Sequence, residues 1–201
     1  MQSSKNNNVP SNKKSSDGKG FLKKKNYKNL VFYKKSVCLY DITFYFTSLY
    51  LKKNDRTVDQ MVQAARSGKQ NIIEGTEAAM TSSETELKLI NVARASLGEL
   101  LADYEDYLRV RHLEKWEQGH PRFDPLVIFC YSHNAPAEYA ALLPRLNDEE
   151  ICNLALTHIH QADSAMGKYL HRLEEDFLRN GGLRETMARI RQEVRDSFRK
   201  K

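Results

Sequence analysis

Three consecutive residues in the middle of the chain suggest chemistry. Ser67-Gly68-Lys69 resembles the end of a phosphate-binding loop, in which backbone N–H groups and a lysine hold phosphates. That loop also needs a glycine five residues before its last glycine and a serine or threonine after its lysine. Those two positions hold Gln63 and Gln70. The triplet also falls inside a predicted helix rather than between a strand and a helix, so we predict no nucleotide-binding loop.

Histidines and cysteines are too scattered to indicate a metal site. His158 and His160 are two residues apart, which places them on different faces of a helix. His158 falls on an apolar stripe, as is typical of a core histidine whose ring nitrogens are hydrogen-bonded. Cys130 and His133 form too small a fragment for a zinc site, and the Glu-x-x-His pairs of di-metal helical proteins are absent. The sequence therefore predicts no metal ligand.

Three carboxylates could attract a cation. Glu99, Asp103 and Asp106 share one face of a predicted helix, and a solvated acidic face explains them without further assumptions. No Ser-His-Asp or Cys-His arrangement can be located in the sequence. We therefore expect no catalytic residue, no cofactor and no metal, and predict that the protein is not an enzyme.

The composition is that of a folded domain in a reducing environment. The chain has 201 residues, which fits one domain, and 40% of them are hydrophobic, which is enough for a core. Three cysteines, widely spaced and without a Cys-x-x-Cys pair, argue against a secreted disulfide scaffold. The predicted location is the cytoplasm.

The net charge of +6 is unevenly distributed. Residues 1–35 contain ten lysines and one aspartate, a net charge of +9. Residues 36–183 carry a net charge of −7, and residues 184–201 carry +4. An anionic partner is therefore expected at the two ends of the chain rather than at its middle.

The most apolar segment, residues 37–51, is too short to cross a membrane. It has about fifteen residues, whereas a spanning helix needs roughly twenty. Residues 1–20 lack the apolar stretch of a secretory signal. We therefore predict a buried helix at 37–51 and no membrane partner.

Apolar residues recur with helical spacing in most of the chain. The pattern predicts four long helices at about 30–53, 57–79, 81–111 and 147–179, and a shorter one within 180–201. Capping boxes predict three of the starts: Thr57-x-x-Gln60, Thr81-x-x-Glu84 and Asn147-x-x-Glu150. Asn180-Gly181-Gly182 predicts the end of the fourth long helix.

These elements predict an all-α fold, an up-down four-helix bundle with an extra C-terminal helix and a disordered basic N-terminal tail. The tail is residues 1–28, the bundle is 29–179 and the C-terminal suffix helix is 180–201. Residues 112–146 are predicted to be a long, irregular connection, in which a short strand is an open alternative. Trp116 and the run 126–129 are its expected anchors.

Two of the predicted helices carry packing signals. Small residues on the second helix, among them Gly68 and Gly75, would let a neighbouring backbone approach closely. The third helix has two apolar stripes, whereas one buried face is enough in an isolated bundle. The second stripe indicates self-association.

Residues 56–75 resemble a known family signature. Their polar, small-residue helix ends in Asn-Ile-x-Glu-Gly at 71–75, and the third helix continues the resemblance with Ala93-x-x-Ser96-Leu97-x-Glu99-Leu100. This is the signature of the four-helix-bundle proteins encoded in intervening sequences of 23S rRNA genes. Residues 159–162 and 177–185 are similar to a subgroup with a C-terminal suffix.

The resemblance implies a small helical bundle, and some members of the family assemble as homopentamers. One relative, the accessory variability determinant of diversity-generating retroelements, binds nucleic acid and its reverse transcriptase. The partners implied for this chain are further copies of itself, RNA or DNA, and a reverse transcriptase.

Our leading hypothesis is a non-enzymatic, oligomeric scaffold that binds nucleic acid. The predicted phosphate contacts are basic residues, most of them near the two ends of the chain: Lys23, Lys24, Lys25, Lys28, Arg66, Lys69, Arg94, Arg184, Arg189, Arg191, Arg195 and Arg199. For Arg66, Lys69 and Arg94, solvated or interhelical ion pairs are the alternative. A protein-interaction or structural module that binds no nucleic acid is the alternative function.

Overall fold

The protein is all-helical in the part of the chain that the computed structural model describes, residues 26–181 and 183–199, without the side chains of 180 and 183–186. This part contains no strand. Its seven α-helices are α1 Val31–Tyr50, α2 Arg56–Ala78, α3 Ser83–Val110, α4 Phe123–Ser132, α5 Pro136–Ala140, α6 Asp148–Asn180 and α7 Leu183–Arg199. Most of the predicted tail lies outside the described residues, and its last residues enter a 3₁₀ turn at Tyr27–Asn29.

Four long helices enclose one apolar core. Helix α1 packs against α2 and α6, and α3 packs against the same two helices. The α1 and α6 helices run antiparallel, because Phe32 packs on Tyr169 at one end and the Tyr50 hydroxyl donates to the Leu146 carbonyl at the other. We call α1, α2, α3 and α6 the core helices.

The starts of the long helices were predicted to within two residues, and one of the three predicted N-terminal capping boxes was correct. Asn147 and Glu150 form the expected capping box of α6. The N-cap of α2 is Asp55, whose carboxylate accepts from the Thr57 N–H, and that of α3 is Ser82. The boxes predicted at Thr57 and Thr81 were therefore wrong, because a neighbouring Asp or Ser caps equally well.

Residues 112–146 are more regular than predicted, since they contain α4 and α5. The segment is held to α6 by polar contacts: the Trp116 N–H donates to Asn153 Oδ1 at 2.8 Å, and the Asn153 amide donates to the Glu114 carbonyl at 2.9 Å. Every residue of Ile151–Ile159 in α6 is buried, because residues 112–146 cover one side of this stretch and the core helices cover the other.

Both apolar stripes of α3 are used inside the chain. Helix α3 packs against both α2 and α6, and its buried apolar residues come from both stripes: Ile90, Ala93, Leu97, Leu100, Tyr104, Tyr107 and Leu108. The second stripe was read as a sign of self-association, but it is buried within the chain and so does not indicate a partner copy. A helix between two neighbours buries two faces without any partner chain.

The apolar segment 37–51 lies almost wholly in α1, and one face of it is buried: Cys38, Leu39, Ile42, Thr43, Phe46 and Thr47. Phe44 and Leu49 are more than half exposed, so the prediction of a buried helix holds for that face only. Of the helices between residues 26 and 199 that the structure describes, none combines the length and the apolarity that crossing a membrane requires.

Candidate nucleic-acid interface

Helix α7 lies apart from the core helices. Among the side chains of α6 that the structure describes, Leu173 is the last buried one, and residues 174–179 are exposed. Gly181 follows with a φ of 69°, a left-handed conformation that glycine adopts without strain, and it ends α6 as predicted. No other helix packs extensively against α7 in the described part of the chain. The surface of α7 is therefore open to a partner.

Three arginines form one stripe on α7. Arg191, Arg195 and Arg199 follow one another at four-residue spacing, which places them on one side of the helix. All three are exposed, and none forms a salt bridge with a carboxylate whose side chain is described. Arg189 is also exposed and lies on another side of α7. We call Arg191, Arg195 and Arg199 the arginine stripe.

An apolar stripe runs beside the arginines. Met187, Val194 and Phe198 lie on it, with Phe198 74% exposed. A helix with an apolar stripe beside a cationic stripe is suited to bind a partner that has both negative charges and flat apolar groups. Nucleic-acid bases and phosphates provide that combination.

The remaining predicted contacts at the two ends are only partly described. Lys28 is exposed in the 3₁₀ turn before α1. Lys23, Lys24 and Lys25 lie outside the described residues, and so does the side chain of Arg184. These positions stay predictions.

Two of the predicted residues lie on α2. Arg66 is exposed, and Lys69 is half-buried with its Nζ 4.0 Å from the centre of the Tyr40 ring. Lys69 also acts on Asp41: burial raises the pKa of that carboxyl, and the lysine charge lowers it. The lysine is therefore held by α1, whereas Arg66 is open to solvent.

Arg94 is engaged in an ion pair within the chain. Its Nε donates to Asp163 Oδ1 at 2.7 Å, and its Nη2 donates to Asp163 Oδ2 at 3.1 Å. This bidentate pair joins α3 to α6 and raises the pKa of Arg94. Of the two roles considered for Arg94, the structure shows the interhelical ion pair.

We expect Arg94→Met to lower the free energy of unfolding by about 1 kcal/mol or less, because the pair is more than one-third exposed to solvent. Nucleic-acid affinity should not change. Urea denaturation and RNA binding of the same variant test both statements. A loss of affinity without a loss of stability would instead make Arg94 a phosphate contact.

The surface between α2 and α3 is acidic. Asp59, Glu99 and Asp103 line a groove of about 610 Å³, together with Gln60, Gln63 and Ser67. Burial, and then the charges of Asp106 and Glu99, raise the pKa of Asp103. This face repels phosphates, so a nucleic acid bound at α7 would be kept away from it.

The cysteines are unsuited to nucleophilic chemistry. Cys38, Cys130 and Cys152 are all buried and free. Burial raises the pKa of Cys38 and of Cys130 to about 12, so both thiols are protonated at neutral pH. Among the described residues, no group of three or more His, Cys, Asp or Glu side chains could hold a metal ion.

Sequence reasoning missed two cations on α6. Lys168 and Arg172 are exposed, and neither forms a salt bridge with a described carboxylate. They continue a four-residue spacing that begins at His160 and Ser164. That spacing is visible in the sequence, but the sequence does not show that these side chains line a groove together with residues of α1 and α4.

In comparisons with protein-family models, with curated proteins and with solved structures, no match to this chain was found.

Proposed function

We propose that this protein is a non-enzymatic helical scaffold that binds nucleic acid through its ends. The observation that carries the proposal is the arginine stripe of α7, which is exposed and lies apart from the acidic core helices. In this proposal the core helices form an up-down four-helix bundle of the kind found in the intervening-sequence family, and α7 is the suffix helix.

The charge distribution supports binding at the ends. Residues 36–183 carry a net charge of −7, whereas residues 1–35 carry +9 and residues 184–201 carry +4. Arginines on one face of a helix reach successive phosphates, and exposed aromatic rings such as Phe198 stack on unpaired bases. Such contacts position a nucleic acid without reading its sequence, so the binding is sequence-tolerant.

Assembly would strengthen such binding. We propose a cytoplasmic homo-oligomer, a pentamer by the family resemblance, in which each copy presents one α7. Once one α7 of the oligomer has bound a nucleic acid, the others bind it at a high effective concentration. Several α7 helices of low individual affinity would therefore give a high overall affinity. A reverse transcriptase is the protein partner that the same resemblance suggests.

The alternative function is a protein-interaction module without nucleic acid. The acidic groove between α2 and α3 favours it, since Asp59, Glu99 and Asp103 would attract a basic protein segment. The two functions differ in where substitutions matter: α7 in the first, the acidic groove in the second.

Substituting the arginine stripe tests the proposal. We expect the triple variant Arg191→Gln, Arg195→Gln and Arg199→Gln to bind a single-stranded RNA about tenfold more weakly. The slope of the logarithm of the binding constant against the logarithm of the salt concentration should become shallower by about 2, at roughly 0.7 per lost phosphate contact. Fluorescence anisotropy measures both quantities.

The matched control removes three exposed lysines from the core helices and the turn after α1: Lys52→Gln, Lys53→Gln and Lys88→Gln. Its net charge equals that of the α7 variant. If the two variants lose affinity equally, total charge rather than α7 governs the binding, and the proposed interface is wrong.

A further inference from the structure

A second groove runs along α6 on the side that faces α4 and the start of α1. Its volume is about 830 Å³, within the range of small-molecule sites. Its apolar lining comes from all three helices and from the residues just before α1: Leu30, Val31, Phe32, Phe123, Val127, Tyr131 and Ala165.

The groove follows α6 for about four turns. One row of its lining residues is Thr157, Gln161, Ala165 and Tyr169, and a more exposed row beside it is His160, Ser164, Lys168 and Arg172. Both rows have four-residue spacing, so they run along the helix axis. From 157 to 172 the helix rises by about 22 Å, which makes the groove long rather than round.

The charged lining of this groove is entirely basic. Lys35, Lys168 and Arg172 line it together with His160, and no aspartate or glutamate is among its lining residues. This is unusual for this chain, because residues 36–183 as a whole carry a net charge of −7. The charges of the lining therefore favour an anion over a cation as the ligand.

Lys35 is the most unusual of these cations because its side chain is only 1% exposed. Its Nζ donates to the Cys130 carbonyl at 2.8 Å, in the last turn of α4, where helix carbonyls lack partners within the helix. No carboxylate of the described residues pairs with it. Burial lowers the pKa of Lys35, as expected for an ammonium group without a counter-ion.

The lining does not favour a cationic occupant, because a group such as the arginine stripe of α7 carries the same sign of charge as the groove. A purely apolar ligand would make no contact with the charges of Lys168 and Arg172, which are exposed and form no salt bridge with a described carboxylate. The chemistry of the walls fits a molecule that is anionic at one end and apolar along the rest.

We propose that this groove binds a small amphiphile with one anionic head group and a linear apolar chain. The head group contacts Lys168 and Arg172, and the chain lies on Phe32, Val127 and Ala165. The site is separate from the proposed nucleic-acid interface and does not depend on it. Carboxylate and phosphate head groups share the required chemistry.

Three probes that share a twelve-carbon alkyl chain but differ in head group test this site on the 201-residue protein. Each is used below the concentration at which it forms micelles. We expect dodecanoate or dodecyl phosphate to bind saturably, with one molecule per chain, in calorimetric titrations. The stronger of the two identifies the head group. Dodecyltrimethylammonium, which carries the opposite charge, should bind at least tenfold more weakly. Equal binding of all three probes would show that charge plays no part and would overturn the proposal.

Two groove variants and one control variant locate the site. Lys168→Gln with Arg172→Gln should weaken binding of the anionic probe fivefold to tenfold, whereas Lys52→Gln with Lys53→Gln should leave it unchanged. Ser164→Trp places a large side chain on the exposed row of the groove and should abolish binding. Circular dichroism shows whether each variant is folded. Unchanged binding in the two folded groove variants, or no saturable binding by the unmodified protein, would contradict the proposed site.

Discussion

Replacing Gly68 with alanine is expected to destabilise the protein by about 1–3 kcal/mol, although alanine is the better helix former. A Cβ atom at Gly68 would lie 2.5 Å from Leu97 Cδ2 and 2.9 Å from Leu97 Cγ. Leu97 is buried and cannot move into solvent. The added methyl group therefore forces α2 and α3 apart, at the place where the Ser67 and Ser96 hydroxyl oxygens are 2.9 Å apart.

Gly98 is the matched control for this prediction. It lies inside α3, one residue from Leu97, and a Cβ atom there would meet nothing within 4 Å. Gly98→Ala should stabilise the protein by about 0.5–1 kcal/mol through helix propensity alone. Urea denaturation of both variants measures the difference. If Gly68→Ala stabilised the protein as much as Gly98→Ala, the close contact between α2 and α3 would be wrong.

Acid is expected to destabilise the protein through His158. Its ring is fully buried, and neither ring nitrogen has a hydrogen-bond partner among the described residues. Burial, and then the charge of Lys35, lower the pKa of His158 from 6.5 to about 3. Below pH 6.5 the unfolded chain therefore binds a proton that the folded chain does not. Stability falls as the pH decreases from 6.5 towards 3.

The size of this effect follows from the pKa difference. At pH 4.5 the contribution is about 2–3 kcal/mol, at 1.36 kcal/mol per pH unit. His158→Leu removes this pH-dependent contribution. On going from pH 7 to pH 4.5, the free energy of unfolding of the unmodified protein should therefore fall by about 2–3 kcal/mol more than that of the variant. His160→Leu, at an exposed neighbouring position, is the control. Parallel stability curves for the unmodified protein and His158→Leu would show that His158 does not resist protonation.

The helical class of the fold was predictable because its signals are local. Four-residue and three-residue spacing of apolar residues indicates a helix without any knowledge of its neighbours. Asn147 and Gly181 mark the start and the end of α6 by their own side-chain and backbone preferences. The close approach at Gly68 was also predicted correctly, because small residues on one face have few other uses.

The short helices α4 and α5 were not predictable in the same way. They have ten and five residues, which is too few for a period to be recognised, and prolines flank or begin them. Helix α4 is held to α6 by contacts such as the Gln161 amide donating to the Val127 carbonyl at 2.9 Å, and α5 packs against α1. Such contacts join residues far apart in sequence.

The properties of individual basic residues also depend on the fold. Arg94 and Arg66 look alike in sequence, but one forms a bidentate pair with Asp163 and the other is open to solvent. His158 was expected to be a core histidine with satisfied hydrogen bonds. It is a core residue, but the expectation of hydrogen bonds was wrong among the described residues. The type of a residue predicts whether it is buried better than it predicts which groups it will contact.

The salt dependence of RNA binding tests the central proposal most directly. We expect the affinity of the full-length protein for a single-stranded RNA to fall steeply and linearly with salt on log–log axes, since phosphate contacts release counter-ions. Removing residues 1–28 should cause a large loss of affinity, and the arginine-stripe variant should show a shallower slope. An affinity that does not change with salt, or no detectable binding at low salt, would contradict nucleic-acid binding through the ends of this chain.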